Sequence, residues 1–292
     1  HSVLASTLDG VPIGLIEQER WRRDIKDLGG SRNSRERPYK EKETFKWQRA
    51  SEKMSRRLEH MEKIISVCDR EADVFEYLDY KRKENQRFVV RAKYCRRLER
   101  LPPLLIRDAM IDAPKLGEKV LEIPQQNNRK AREVRLNVHA KEIAFYWPKG
   151  MRKGRTERLK LNAVLVQEEG KVIKKDEKLE WILLTSEPIE TYADACRVID
   201  IYTKRWLIED FHKAWKSGTN VEDRRMQSAD NLERIAVILA FVAVRLLQLR
   251  VLKKQEPTSS SDKVLTRLEW RCLWRSTEKS AIPKNAPTIH WA

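Results

Sequence analysis

The chain has 292 residues and a formal net charge of +17, from 61 Lys and Arg against 44 Asp and Glu. Apolar residues make up 40%, which supplies a core and excludes a wholly disordered chain. The charge balance points to a polyanionic partner, nucleic acid first among them. There is no P-loop and no G-x-G-x-x-G among the 9 glycines, which argues against the standard phosphate-cradling loops and a nucleotide-type small-molecule substrate. The longest apolar stretch, Ile235–Val244, is short for a bilayer and is followed by Arg245, so no membrane partner is expected. The first residues do not read as a signal peptide. The four cysteines, Cys68, Cys95, Cys196 and Cys272, form no C-x-x-C pair, which argues against structural zinc and fits a reducing compartment.

In chain order, residues 2–8 read as a strand, Asp9-Gly10 as a hairpin turn and Val11–Gln18 as its partner strand. Gly29–Lys42 is a polar loop. Phe45–Met61 has helical spacing with a charged outer face. Ile64–Cys68 reads as a short buried strand ending on Asp69, Glu71–Lys83 as a helix that includes Asp73, and Arg87–Lys93 as another strand. This strand–helix–strand order predicts an α/β sheet. Residues 94–180 read as a mostly β insertion. Val134, Leu136 and Val138 alternate with polar residues there, as do Leu159, Leu161, Ala163 and Leu165, around a basic loop at Lys149–Lys160. Trp181–Thr185 closes it as a strand. Tyr192–Lys216 then reads as one long helix. Asn231–Lys254 reads as a core helix, with Ile235, Ile238, Leu239, Val242, Leu246 and Leu249 on its stripe. A Pro/Ser linker at Glu256–Asp262 precedes a tail carrying Trp270, Trp274 and Trp291. The expected divisions are 1–93, 94–180, 181–255 and 256–292.

The long helix is the most informative element. Helical spacing places Tyr202, Arg205, Glu209, Lys213 and Lys216 on one face, with Leu207, Ile208, Phe211, Ala214 and Trp215 opposite. The polar face is either a solvated face laced with ion pairs or a carboxylate flanked by cations for chemistry. Asp69, where a strand passes into a helix, is either an N-cap or a site residue at a strand's carboxyl end. Two such carboxylates on a basic chain suit a hard divalent ion and phosphate oxygens. Trp181 is either a core residue at a strand start or a stacking platform.

The spacing Tyr202-x2-Arg205-x3-Glu209-x6-Lys216 resembles the Y-R-E-K signature of bacterial cut-and-paste transposases of the insertion-sequence-four family. The blocks Val67–Asp73, Arg87–Arg91, Leu183–Pro188, Arg197–Trp206, Phe211–Lys216 and Phe241–Arg250 resemble that family as well. The resemblance implies a ribonuclease-H-like α/β core, a mixed sheet with flanking helices interrupted by a mostly β insertion. It implies a D-D-E triad holding Mg²⁺, with Mn²⁺ as a substitute. Asp69 would be the second Asp and Glu209 the Glu. Tyr202, Arg205, Lys213 and Lys216 would bind transposon-end phosphates, Arg91 and Lys93 would contact end DNA, and Trp181 would stack on a flipped base in a hairpin intermediate. DNA, as transposon ends and as target, would be the partner. A homodimer and a place in the bacterial cytoplasm, on the nucleoid, are also implied.

The family's first Asp would lie upstream of His1, as would its end-recognition domain, and its dimerisation helices would lie beyond Trp291. The expectation is therefore a piece of a longer frame, inactive alone. The alternative is a truncated, non-catalytic DNA-binding relic or inhibitor of the full-length enzyme.

Overall fold

Gly10 sits at φ 87°, a left-handed conformation that a side chain would strain. It lets the Asp9-Gly10 turn close a hairpin of β1 (Ser2–Ser6) and β2 (Pro12–Gln18), antiparallel with Ser2 opposite Gln18. The computed structural model describes residues 1–21, 37–100, 102–123, 131–148, 151, 157–170 and 178–292. Most of the basic 149–160 loop and part of the 29–42 loop lie outside the described residues. The chain divides into two compact units, one running from Arg22 to Arg205, the other joining His1–Trp21 to Trp206–Ala292.

In the first unit, α1 (Lys46–Arg57) buries Ala50, Ser51 and Met54 and leaves Arg56 and Arg57 exposed. The strand–helix–strand segment forms as expected. β3 (Ile65–Cys68) and β4 (Arg87–Arg91) run parallel, Cys68 opposite Val90, across α2 (Phe75–Lys83). β5 (Arg97–Arg100) and β6 (Pro103–Leu105) form a small antiparallel pair ahead of α3 (Ile106–Ile111). Long strands follow: β7 (Lys115–Ile123), β8 (Arg132–Phe145), β9 (Leu159–Glu168) and β10 (Glu180–Thr185). Among the described residues they join one six-stranded mixed sheet, ordered β3-β4-β10-β9-β8-β7, in which only β3 and β4 pair in parallel. Residues 94–180 thus contribute β7, β8 and β9 to the sheet that holds β3 and β4.

Helices cover both faces of this sheet. Leu159, Leu161, Ala163 and Leu165 of β9 face Tyr77 and Leu78 of α2 and Ile106 and Met110 of α3. Val164 and Val166, one residue out of phase, face the opposite layer with Val134, Leu136 and Val138 of β8. That layer packs under α4 (Tyr192–Thr203), through Ala195, Val198, Ile199 and Tyr202. Alternate residues of a strand point to opposite faces, so a strand covered on both sides is apolar at both parities. The architecture is the expected mixed α/β sheet with flanking helices.

Two expectations need correction here. β3 is the sheet's edge strand, not a buried one, and only Cys68 in it is buried. The helix after Asp69 starts at Phe75 rather than Glu71, because Arg70–Ala72 close a 3₁₀ turn and Val74 is extended. Asp73 is therefore not on that helix.

Tyr192–Lys216 is not one helix. α4 ends at Thr203, Lys204 and Arg205 form a tight turn, and α5 (Trp206–Lys213) starts afresh. Neither Gly nor Pro marks the break. The Thr203 hydroxyl donates to the Asp200 carbonyl at 2.6 Å, a back-bond of the kind that bends helices.

In the second unit α5 runs on into a π-helical turn, Ala214–Gly218. Phe211, Ile208, Ala214 and Trp215 pack with Leu4 and Leu15 of the hairpin and with α6 (Ala229–Gln255). The face of α6 that is buried is Ala236, Ala240, Ala243, Val244 and Leu247. Ile238, Val242 and Leu246, expected in the core, are exposed, because the alanines allow closer approach on the other side. α6 is also longer than its sequence pattern predicts, and by length and composition alone could cross a membrane. Only its alanine stripe packs against α5 and the hairpin, and its apolar residues Ile238, Phe241, Val242 and Leu246 stay exposed, so the expectation of a core helix is corrected to a half-covered one. α7 (Arg267–Thr277) starts at a Thr266–Glu269 capping box and buries Trp270. Trp274 and Trp291 pack on each other, centroids 4.9 Å apart.

Candidate active site and nucleic-acid interface

Asp69 stands at the carboxyl end of β3. The N-cap reading holds: its Oδ1 accepts the Glu71 amide at 2.8 Å, which leaves Oδ2 outside that bond. The strand behind it is tied down by Lys81, which is fully buried. The Lys81 ammonium donates to Ser66 Oγ and to Gln86 Oε1, each at 2.8 Å. No carboxylate is among those acceptors, and burial pushes Lys81 down to about 8.

The same unit brings three arginines, Arg70, Arg91 and Arg205, within electrostatic reach of one another. Arg91, ending β4, lies over the Trp181 ring at 5.8 Å and donates to the Glu180 carbonyl at 3.2 Å. Burial holds its guanidinium below the usual range, and the positive charges of Arg70 and Arg205 act the same way, against the Tyr202 hydroxyl. Arg205 sits 6.0 Å over the Tyr202 ring. Burial raises the Tyr202 hydroxyl, opposed by Arg205 and Arg91. Mutually repelling arginines around a phenol and an indole form a site suited to phosphate oxygens, whose charge would relieve the repulsion.

Two assigned residues are not on an open face. Tyr202 is 2% exposed and Trp181 5%, and their rings meet at 5.1 Å. Tyr202 therefore belongs to the buried side of α4, not to a polar stripe shared with Glu209. The core reading of Trp181 holds in this structure. Lys93 lies two residues past β4 with its side chain exposed and its ammonium 5.3 Å over the Tyr94 ring.

The other assigned residues lie in the second unit. Glu209 is exposed in the first turn of α5, where the helix dipole favours a carboxylate. Lys213 is exposed in the last turn. Lys216 falls in the π-helical turn and pairs with Glu222 at 2.8 Å, and π-turns of this kind often mark functional sites. Between them His212 is held below its usual value by burial, with Lys216 adding and Glu209 opposing.

The two candidate carboxylates thus come from different units. Both are hard oxygen donors, and Asp69 keeps an oxygen outside its cap, so in kind they fit a divalent cation. Among the described residues no three His, Cys, Asp or Glu side chains gather as a metal site. Sequence reasoning missed Arg70, whose only signal is its place beside Asp69. It also missed Lys81, which reads as one more charge on a charged helix.

Residues 48–245 match the family model described as the transposase DDE domain. The chain belongs to that family. It is thereby assigned to transposases, enzymes that act on DNA and depend in general on divalent metal.

Proposed function

We propose that this chain carries the catalytic site of a transposase of the insertion-sequence-four group, near the transposon-five enzyme, with Asp69 and Glu209 as metal-holding carboxylates. What supports the reading is Arg91 over the Trp181 ring at 5.8 Å and Arg205 over the Tyr202 ring at 6.0 Å, in the unit whose Asp69 ends β3 and is followed directly by Arg70. Mg²⁺ held by Asp69 and Glu209, or Mn²⁺ in its place, would supply activation of the attacking oxygen and stabilisation of the leaving one in phosphoryl transfer. Arg205, Arg91 and Arg70 neutralise phosphate charge, and Lys213 and Lys216 add cations from α5 and its π-turn. Lys93 contacts end DNA from beyond β4.

The reaction sequence proposed is a nick at the transposon end, attack of the freed 3′ hydroxyl on the opposite strand to give a hairpin, opening by water, and joining to target DNA. Trp181 serves a flipped base in that sequence only once Arg91 and Tyr202 uncover its ring. The enzyme works as a homodimer on nucleoid DNA in the bacterial cytoplasm. A second reading is a truncated, non-catalytic product that binds DNA or inhibits the full-length enzyme.

The test is Glu209→Gln in a transposition-competent protein. End cleavage should be lost while DNA binding is kept. Cleavage that survives removes Glu209 from the site.

A further inference from the structure

Asp73 is fully buried and accepts more hydrogen bonds than a helix cap needs. Its Oδ2 takes the backbone amides of Lys93 at 2.7 Å and Tyr94 at 3.0 Å. Its Oδ1 pairs with the Arg96 guanidinium, which also donates to the Asp73 carbonyl at 2.9 Å. Arg96 is held in turn over Phe75 at 4.8 Å, Phe145 at 5.4 Å and Tyr94 at 5.6 Å. Toward Asp69 the connection is short and rigid. The Glu71 amide donates to the Asp69 side chain, Ala72 to the Asp69 carbonyl and Asp73 to the Arg70 carbonyl.

We propose that Asp73 is a positioning residue that clamps the backbone at Lys93 in register with the Asp69 turn, so that the Lys93 contact with a DNA phosphate is set relative to Asp69. This rests on the reading of Lys93 as a DNA contact. The ion pair with Arg96 offsets the burial of the carboxylate. The amide bonds do something different: they fix where the chain goes at a residue whose own side chain is exposed. A carboxylate taking two successive amides leaves both unsatisfied when it is removed, so the segment bearing Lys93 would then move.

The experiment measures binding of the whole chain to a short fluorescent DNA duplex over a salt series. Each phosphate contact adds about 0.9 to the slope of log affinity against log salt. Lys93→Ala should lower that slope by about 0.9. Asp73→Ala, which removes the acceptor from both amides, should lower it by a similar amount, and should have no further effect in the Lys93→Ala background, as residues acting through one contact are not additive. Arg96→Lys, which keeps the charge but loses the planar fork, should lower the melting temperature and leave the slope unchanged. If Asp73→Ala does not fold, Asp73→Glu keeps a charge for Arg96 but cannot sit under both amides, and should lower the slope in the same way. An Asp73 effect that persists in full in the Lys93→Ala background overturns the proposal, as does an Arg96→Lys slope equal to that of Asp73→Ala. A slope unchanged by Lys93→Ala overturns the DNA reading of Lys93 and the proposal with it. A slope lowered by Lys93→Ala but unchanged by both Asp73 variants overturns the proposal alone.

Discussion

The Tyr202 ring meets the Trp181 ring edge to face, centroids 5.1 Å apart and planes at 67°. Both rings are buried in the layer beneath α4 with Val89, Leu183 and Val198. The pair joins β10 to the last turn of α4, next to the residues assigned to DNA.

Removing the indole should therefore destabilise the chain with no DNA present. Trp181→Ala is expected to cost about 3–5 kcal/mol of unfolding free energy, read from urea denaturation. An unfolding midpoint equal to the wild type would place Trp181 outside the core and free it for stacking alone.

Arg205 contributes charge to the cluster around Tyr202, so Arg205→Ala should weaken binding to duplex DNA. It should also flatten the salt dependence by about 0.9 in slope for each phosphate that Arg205 neutralises. Fluorescence anisotropy across a salt series measures this. Equal affinity at every salt concentration would remove Arg205 from the interface.

Lys81 gives the fold a pH dependence with a definite sign. Unfolded, the amine keeps its proton to about 10.5; folded, to about 8. Between those values the unfolded state holds more protons, so stability rises with pH. The cost of the buried charge is fully present below about pH 8 and is relieved above it. Wild type should gain on Lys81→Met between about pH 8 and about pH 10.5, by up to about 3 kcal/mol. Urea unfolding of both proteins at the two ends of that range is the check. A constant difference would mean that Lys81 keeps one protonation state throughout.

The sequence carried the strand–helix–strand unit, the hairpin and the tail tryptophans well, because apolar runs and turn residues announce them locally. It misplaced what depends on tertiary packing. The break after Thr203 has no Gly or Pro, only a hydroxyl that bonds back to Asp200. The shared face expected for Tyr202, Arg205, Glu209, Lys213 and Lys216 assumed a helix that runs unbroken through Thr203, which this one does not. On α6 the largest side chains marked the expected core stripe, yet close packing chose the alanines. Asp73 reads as an ordinary first-turn acid, and its partners at 93, 94 and 96 come from the far end of β4. The candidate site residues came from their spacing and the family resemblance, while Arg70 and Lys81 carried no local signal, since each is a single charge among many.

The most direct test of the account exchanges the donor atom at Asp69. Mg²⁺ prefers hard oxygen ligands and tolerates thiolate poorly, while softer divalent ions accept it. Asp69→Cys in a transposition-competent protein should lose end cleavage in Mg²⁺ and regain it in Mn²⁺, with DNA binding unchanged in both. Undiminished cleavage in Mg²⁺ would contradict a metal-holding role for Asp69 and the catalytic site built on it.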